Sequence, residues 1–121
     1  MLINSIEWID KEIGEAEVLI SDKDFCIKCF SQPFDKDIGT SLIDPIYCMN
    51  VENIKISYET ISHVEKKENY FAYSICAKLI DKTNKIALLG SIQLCLEDSF
   101  LPADIQEGNF IEFDVSRLDI Y

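Results

Sequence analysis

Hydrophobic and polar positions alternate most regularly between Tyr70 and Glu97. Phe71, Tyr73, Ile75, Ala77 and Leu79 recur at period two, and Ile86, Leu88, Ile92, Leu94 and Leu96 do so again after a polar stretch. That period marks strands with one buried face, so the pattern predicts a long β-hairpin. One apolar set is odd-numbered and the other even, so facing residues should sum to an odd number unless a bulge intervenes. A four-residue loop, Asp81-Lys82-Thr83-Asn84, closed by Ile80 opposite Lys85, meets that condition. Asp81 and Asn84 suit the loop because their side chains bond to nearby backbone. A two-residue turn at Thr83-Asn84 would instead put a β-branched residue at positive φ. In this register Gly90 faces Ile75, Cys76 faces Leu89 and Cys95 faces Tyr70. A glycine inside a strand marks a bulge or bend, so the hairpin is expected to curl as a small barrel requires.

The remaining chain reads the same way. Ala16, Val18 and Ile20 alternate with Glu15, Glu17 and Ser21, then Asp22-Lys23-Asp24 turns, then Phe25, Ile27 and Cys29 alternate with Cys26, Lys28 and Phe30. This predicts a second hairpin with one wet and one dry face. Residues 3–13 fit two patterns. Ile6 and Trp8 share a strand face. Ile6, Ile9 and Ile13 fit a helix capped by Asn4 and Glu7 and stopped by Gly14. The strand is the expectation, with Trp8 in core or rim packing.

Ser31 to Thr40 reads as a loop. Leu42 to Met49 reads as an edge strand or irregular segment because Pro45 interrupts it. Asn50 to Asn53 turns, and Ile54, Ile56 and Tyr58 predict another strand. His63 to Asn69 reads as a solvated charged connection. Pro102 and Gly108 suit the start and stop of a short helix. Ile111, Phe113 and Val115 form the last strand. Leu118 and Ile120 continue it in the other phase, which predicts a bulge near Ser116.

About seven short strands with polar turns and one or two short helices predict an all-β domain. Its architecture is expected to be a small, curled antiparallel β-barrel or sandwich, closed or nearly so. The closing stretch from Leu101 to Phe113 resembles the turn-and-strand that ends an OB-like barrel.

The chain has 121 residues, enough for one domain over residues 1–121. Hydrophobic residues make up 48%, so burial can offset chain entropy. The N-terminus has no basic region before an unbroken apolar run, which speaks against a signal peptide, and no stretch is long enough to span a bilayer. Five cysteines without a disulfide framework predict reduced thiols and a cytoplasmic location.

Candidate chemistry is sparse. Cys26 and Cys29 have CxxC spacing, but no second pair exists, and on a strand residues three apart point to opposite faces. Asp35 and Asp37 resemble the start of a calcium loop, but the twelfth position is Ile46. His63, the sole histidine, has no nucleophile signature beside it. The expectation is therefore no catalytic group, no metal and no cofactor.

Charge is more informative. The net charge is −11. Residues 1–24 hold seven acids against two lysines, and residues 91–121 hold seven acids against one arginine. Such a balance disfavours nucleic acid and anionic membranes and favours a basic protein partner. If the first and last strands lay together, Glu7, Glu12, Glu15, Glu17, Glu112, Asp114 and Asp119 would form one negative surface. Tyr47 and Tyr121 would serve as aromatic anchors, since interfaces favour such residues.

The function expected from these features is a non-enzymatic protein-binding inhibitor, like the immunity or antitoxin proteins that neutralise nuclease-type domains of bacterial toxins. Two other readings stay open. One is an OB-like module binding nucleic acid, saccharide or peptide, with Tyr47, Tyr58, Tyr70 and Tyr73 as stacking groups. The other is a structural subunit, or a homo-oligomer, joined through exposed strand edges.

Overall fold

The computed structural model describes residues 1–97 and 99–121, and these residues are all-β with no helix. The strands are β1 (Leu2–Asp10), β2 (Glu15–Ser21), β3 (Cys26–Ser31), β4 (Ile46–Met49), β5 (Glu52–Ile56), β6 (His63–Lys66), β7 (Tyr73–Asp81), β8 (Ile86–Leu89), β9 (Ile92–Cys95), β10 (Phe110–Val115) and β11 (Arg117–Asp119). Their order in the sheet is β1-β2-β3-β11-β4-β9-β8-β7-β10-β5, with β6 alongside β7.

The β2–β3 hairpin follows the alternation in its sequence. Ala16, Val18, Ile20, Ile27 and Cys29 are fully buried on one face. Its turn is closed by the Asp22 side chain, which accepts from Asp24 N–H and Phe25 N–H at 2.8 and 2.7 Å. The N-terminal segment is a strand, as expected, and β1 runs antiparallel to β2. Trp8 sits at its rim, 39% exposed, with its ring 6.1 Å from that of Phe34.

The expected long hairpin is corrected. Its first strand stands as β7, with Tyr73, Ile75, Ala77 and Leu79 buried. Its second arm folds back on itself as β8 and β9, which pair antiparallel through Leu89 opposite Ile92. Gly90 and Ser91 are the turn, and Gly90 has φ of 62°. A glycine first in a two-residue turn is the type II′ pattern, whose twist matches that of the flanking strands.

The turn also flips the phase. Ala87 and Leu89 are the buried residues before it, and Ile92, Leu94 and Leu96 after it. Ile86 and Leu88 are only half-buried, so the parity argument that set the register does not apply. The observed register is Lys78 opposite Leu88 and Leu79 opposite Ala87, with a bulge before Asp81 opposite Ile86. The loop lies one residue later than expected, and Lys85 takes the positive φ of 57°. Cys76 faces His63 and Glu112, and Cys95 faces Ile86.

Three further expectations are corrected. Residues 101–109 form two turns, closed by Ile105 N–H to Pro102 O and by Asn109 N–H to Gln106 O. Gly108 N–H donates to Leu79 O in place of a helical bond. His63 to Lys66 is a strand, β6, despite its charges, because Val64 packs against the core while its neighbours stay wet. β4 is internal, between β11 and β9. Pro45 precedes its first residue and so costs the ladder no donor.

The expected bulge near Ser116 is corrected to a break that ends β10 and redirects the chain. Before it, β10 pairs with β5 and β7; after it, β11 lies between β3 and β4. The β11–β3 and β4–β9 pairings are parallel, so the sheet is mixed. It is not closed, because among the strands β1 pairs only with β2 and β5 only with β10. The sheet nevertheless curls around one apolar cluster. β3 and β7 stand five places apart in the sheet order, yet the Tyr73 hydroxyl accepts from Lys28 N–H at 2.9 Å. Side chains, and no backbone ladder, bridge that seam.

Candidate functional site

Alternation along β4 sends Ile46 and Cys48 into the core and leaves Tyr47 and Met49 half-buried on the outer face. β11 runs beside β4, with Leu118 and Ile120 buried. Ile120 N–H donates to Phe30 O at 2.9 Å, which fixes the last turn of backbone. Tyr121 therefore emerges on the outer face beside Tyr47. The two rings meet edge to face at 70°, with centroids 5.2 Å apart.

This pair lines a groove of about 460 Å³ together with Asp44, Pro45, Met49 and Glu97. A second groove of about 370 Å³ shares Pro45, Tyr47 and Glu97 and continues to Asn84, Lys85 and Ile86. Burial pushes the Tyr47 phenol up, and anionic neighbours including Glu97 and Asp44 push it the same way. The carboxylates of Asp44 and Glu97 form no ion pair among the described residues. The two expected aromatic anchors thus come together. The parallel β4–β9 pairing adds Glu97 beside them, and no local sequence signal foretells that pairing.

The seven predicted acids do not form one surface through strand pairing. β1 and β2 lie at one end of the sheet, and β10 near the other. Glu7, Glu12 and Glu15 belong to the β1–β2 hairpin, with Glu7 and Glu12 exposed. Glu17 is 8% exposed; Lys28 Nζ lies 3.0 Å from it, and the Tyr70 hydroxyl donates to it at 2.7 Å. Glu112 stands opposite Lys55 at 4.0 Å. Asp114 accepts from Ser74 Oγ and Asn53 Nδ2 at 2.6 and 2.9 Å, with Lys67 Nζ at 3.3 Å. The hydrogen bond from Ser74, then that from Asn53, holds its carboxyl below the usual range. Asp119 is buried in a bidentate pair with Arg117 at 2.6 and 2.7 Å. Glu17, Asp114 and Asp119 are therefore engaged within the fold.

The tyrosines of the stacking alternative are also dispersed. Tyr73 is buried, Tyr70 is held by Glu17, and Tyr58 is fully exposed. Cys26 is exposed and Cys29 buried, so the CxxC pair splits across the two faces of β3. His63 Nε2 lies 3.3 Å from the Glu59 carboxylate. Among the described residues no three His, Cys, Asp or Glu side chains gather as metal ligands. No protein-family model matches the chain, and neither a curated protein nor a solved structure matches it.

Proposed function

We propose that this protein is a non-enzymatic inhibitor of the immunity or antitoxin kind, which covers a basic, nuclease-type toxin domain in the cytoplasm. The observation that carries the reading is the Tyr47–Tyr121 groove, edged by Asp44 and Glu97, on a chain of net charge −11. A nuclease site must hold phosphates and is therefore rich in Lys and Arg. An acidic cover meets such a surface with complementary potential, which speeds encounter and excludes other partners. Aromatic side chains in a central depression supply the desolvated contacts that hold the complex together.

On this reading the contact set moves from the terminal-strand acids to the groove. Glu7, Glu12, Glu15 and Glu112 contribute to steering, while Glu17, Asp114 and Asp119 maintain the fold. Reduced thiols agree with a cytoplasmic site of action, since the described residues contain no disulfide.

The test is capture from source lysate with the full chain as bait, at low and high salt, followed by assay of the captured protein. The expected result is one basic partner, weakened by salt, whose nucleolytic activity falls in proportion to added inhibitor. Capture of nothing, or of nucleic acid alone, overturns the reading.

A further inference from the structure

Two places on the outer face of the sheet pair an aromatic ring with a carboxylate, and an internal cation fills each. Arg117 lies over the Phe30 ring at 4.2 Å and grips Asp119 with two hydrogen bonds. Lys28 lies over the Tyr70 ring at 4.0 Å and pairs with Glu17. The Tyr47–Tyr121 groove has the same ingredients, two phenol rings with Asp44 and Glu97, and among the described residues neither Lys nor Arg lines it. Two lysines reach its edges, and both donate to backbone carbonyls there. Lys85 Nζ donates to the backbone carbonyls of Glu97 and Ser99 at 3.3 and 2.6 Å. Lys36 Nζ lies 3.6 Å from Asp35 and donates to the Tyr121 carbonyl at 3.4 Å.

We propose that the groove between Tyr47 and Tyr121 receives a single arginine side chain presented by the partner protein, an inference that rests on the inhibitor reading. A guanidinium is planar, weakly hydrated and able to stack on a ring while donating to two carboxylates. Pro45 and Met49 supply apolar contact for the methylene stem. A lysine ammonium is compact and strongly hydrated, and loses more on entering such a site. The volume of about 460 Å³ suits one long side chain and its waters.

The test uses the full chain and Nα-acetyl-arginine methylamide, followed by tyrosine ring signals in NMR. The expected result is weak, saturable binding that shifts Tyr47 and Tyr121, with the lysine analogue weaker and the uncharged citrulline analogue without effect. The Asp44→Asn, Glu97→Gln double variant should bind about five- to tenfold more weakly. Tyr47→Ala should lose about three- to tenfold. Asp44 and Glu97 are exposed and Tyr47 is half-buried, and the backbone spectrum reports whether the fold is kept. Equal response to arginine and citrulline, or no saturable shift at millimolar concentration, overturns the arginine assignment. Failure there with a basic partner still captured leaves the inhibitor reading standing with another anchor. Binding of the arginine probe without any basic partner has the opposite meaning: the groove stands and the inhibitor reading falls.

Discussion

The Asp22 carboxylate holds Ser91 by two bonds at once, accepting from its backbone N–H and its hydroxyl at 2.8 Å each. Its other oxygen closes the β2–β3 turn. One side chain thus ties together two hairpin turns 69 residues apart. Desolvation alone would raise this carboxyl. The hydrogen bonds from Ser91, Asp24 and Phe25 outweigh it and hold the group down at about 2.

That shift sets a pH dependence. A depressed folded-state pKa contributes stability that is full above the unfolded value, ~4, and is lost as pH falls through about 2. Asp22→Asn should cost about 1–2 kcal/mol at neutral pH, discounted for the partial exposure of the group. The gap to wild type should narrow between pH ~4 and ~2. Urea unfolding of both proteins at neutral and acid pH checks this; a constant gap contradicts it.

Gly90 is the partner turn's fixed point. A Cβ there would meet Asp22 Oδ2 at 2.7 Å and the Phe25 ring at 2.9 Å, at a φ of 62°. Gly90→Ala should therefore destabilise by about 2–3 kcal/mol, combining left-handed strain with the clash. Gly39→Ala meets nothing within 4 Å and bears only the strain of its φ of 87°. Comparison of the two midpoints in denaturant tests the clash separately from the backbone.

The curled seam depends on side chains from both of its sides. Tyr73→Phe leaves Lys28 N–H without its acceptor and should cost about 1–2 kcal/mol. Glu17→Ala removes the acceptor of the Tyr70 hydroxyl, which crosses the seam, and the partner of Lys28 on the neighbouring strand, and should cost about 2–3 kcal/mol, more than the few tenths regained by relieving Glu7 directly opposite. Glu7→Ala, on the exposed edge strand, should stay within about 0.5 kcal/mol of wild type. Equal losses for Glu7 and Glu17 would show that the seam contact does not hold the fold.

The cysteines differ in access. Cys26 is exposed, while Cys29, Cys48, Cys76 and Cys95 are buried. Burial also raises the Cys29 and Cys48 thiols, so little thiolate forms at neutral pH. A thiol reagent should label Cys26 quickly in the folded protein, and the other four only on unfolding. Fast labelling of a second site, located by peptide mapping, contradicts this burial pattern.

Strands whose two faces meet different environments were legible from period alone. The β2–β3 hairpin, β7 and β10 stand where the alternation of Ala16 to Cys29, Tyr73 to Leu79 and Ile111 to Val115 puts them. Period does not fix the phase of β8, because Ile86, Ala87, Leu88 and Leu89 are all apolar and either phase fits. Only the Gly90-Ser91 turn decides between them, and its glycine looked like a bend within one strand. The parallel pairings were hidden because they join residues far apart in sequence without a hairpin signal. For the same reason the meeting of Tyr47 with Tyr121, and the place of Glu97 beside them, cannot be read from local sequence. The acids at the two chain ends share a sign but not a sheet edge, since β1 and β10 have different partners.

The most direct test of the inhibitor account is the rate of association with the captured basic partner as a function of ionic strength. The account predicts a rate that falls on the order of tenfold or more between low and high salt, because screening shortens the reach of the acidic surface. It also predicts a shallower slope for the Asp44→Asn, Glu97→Gln variant. A rate independent of salt in the wild type, or a slope unchanged by removing both carboxylates, contradicts it.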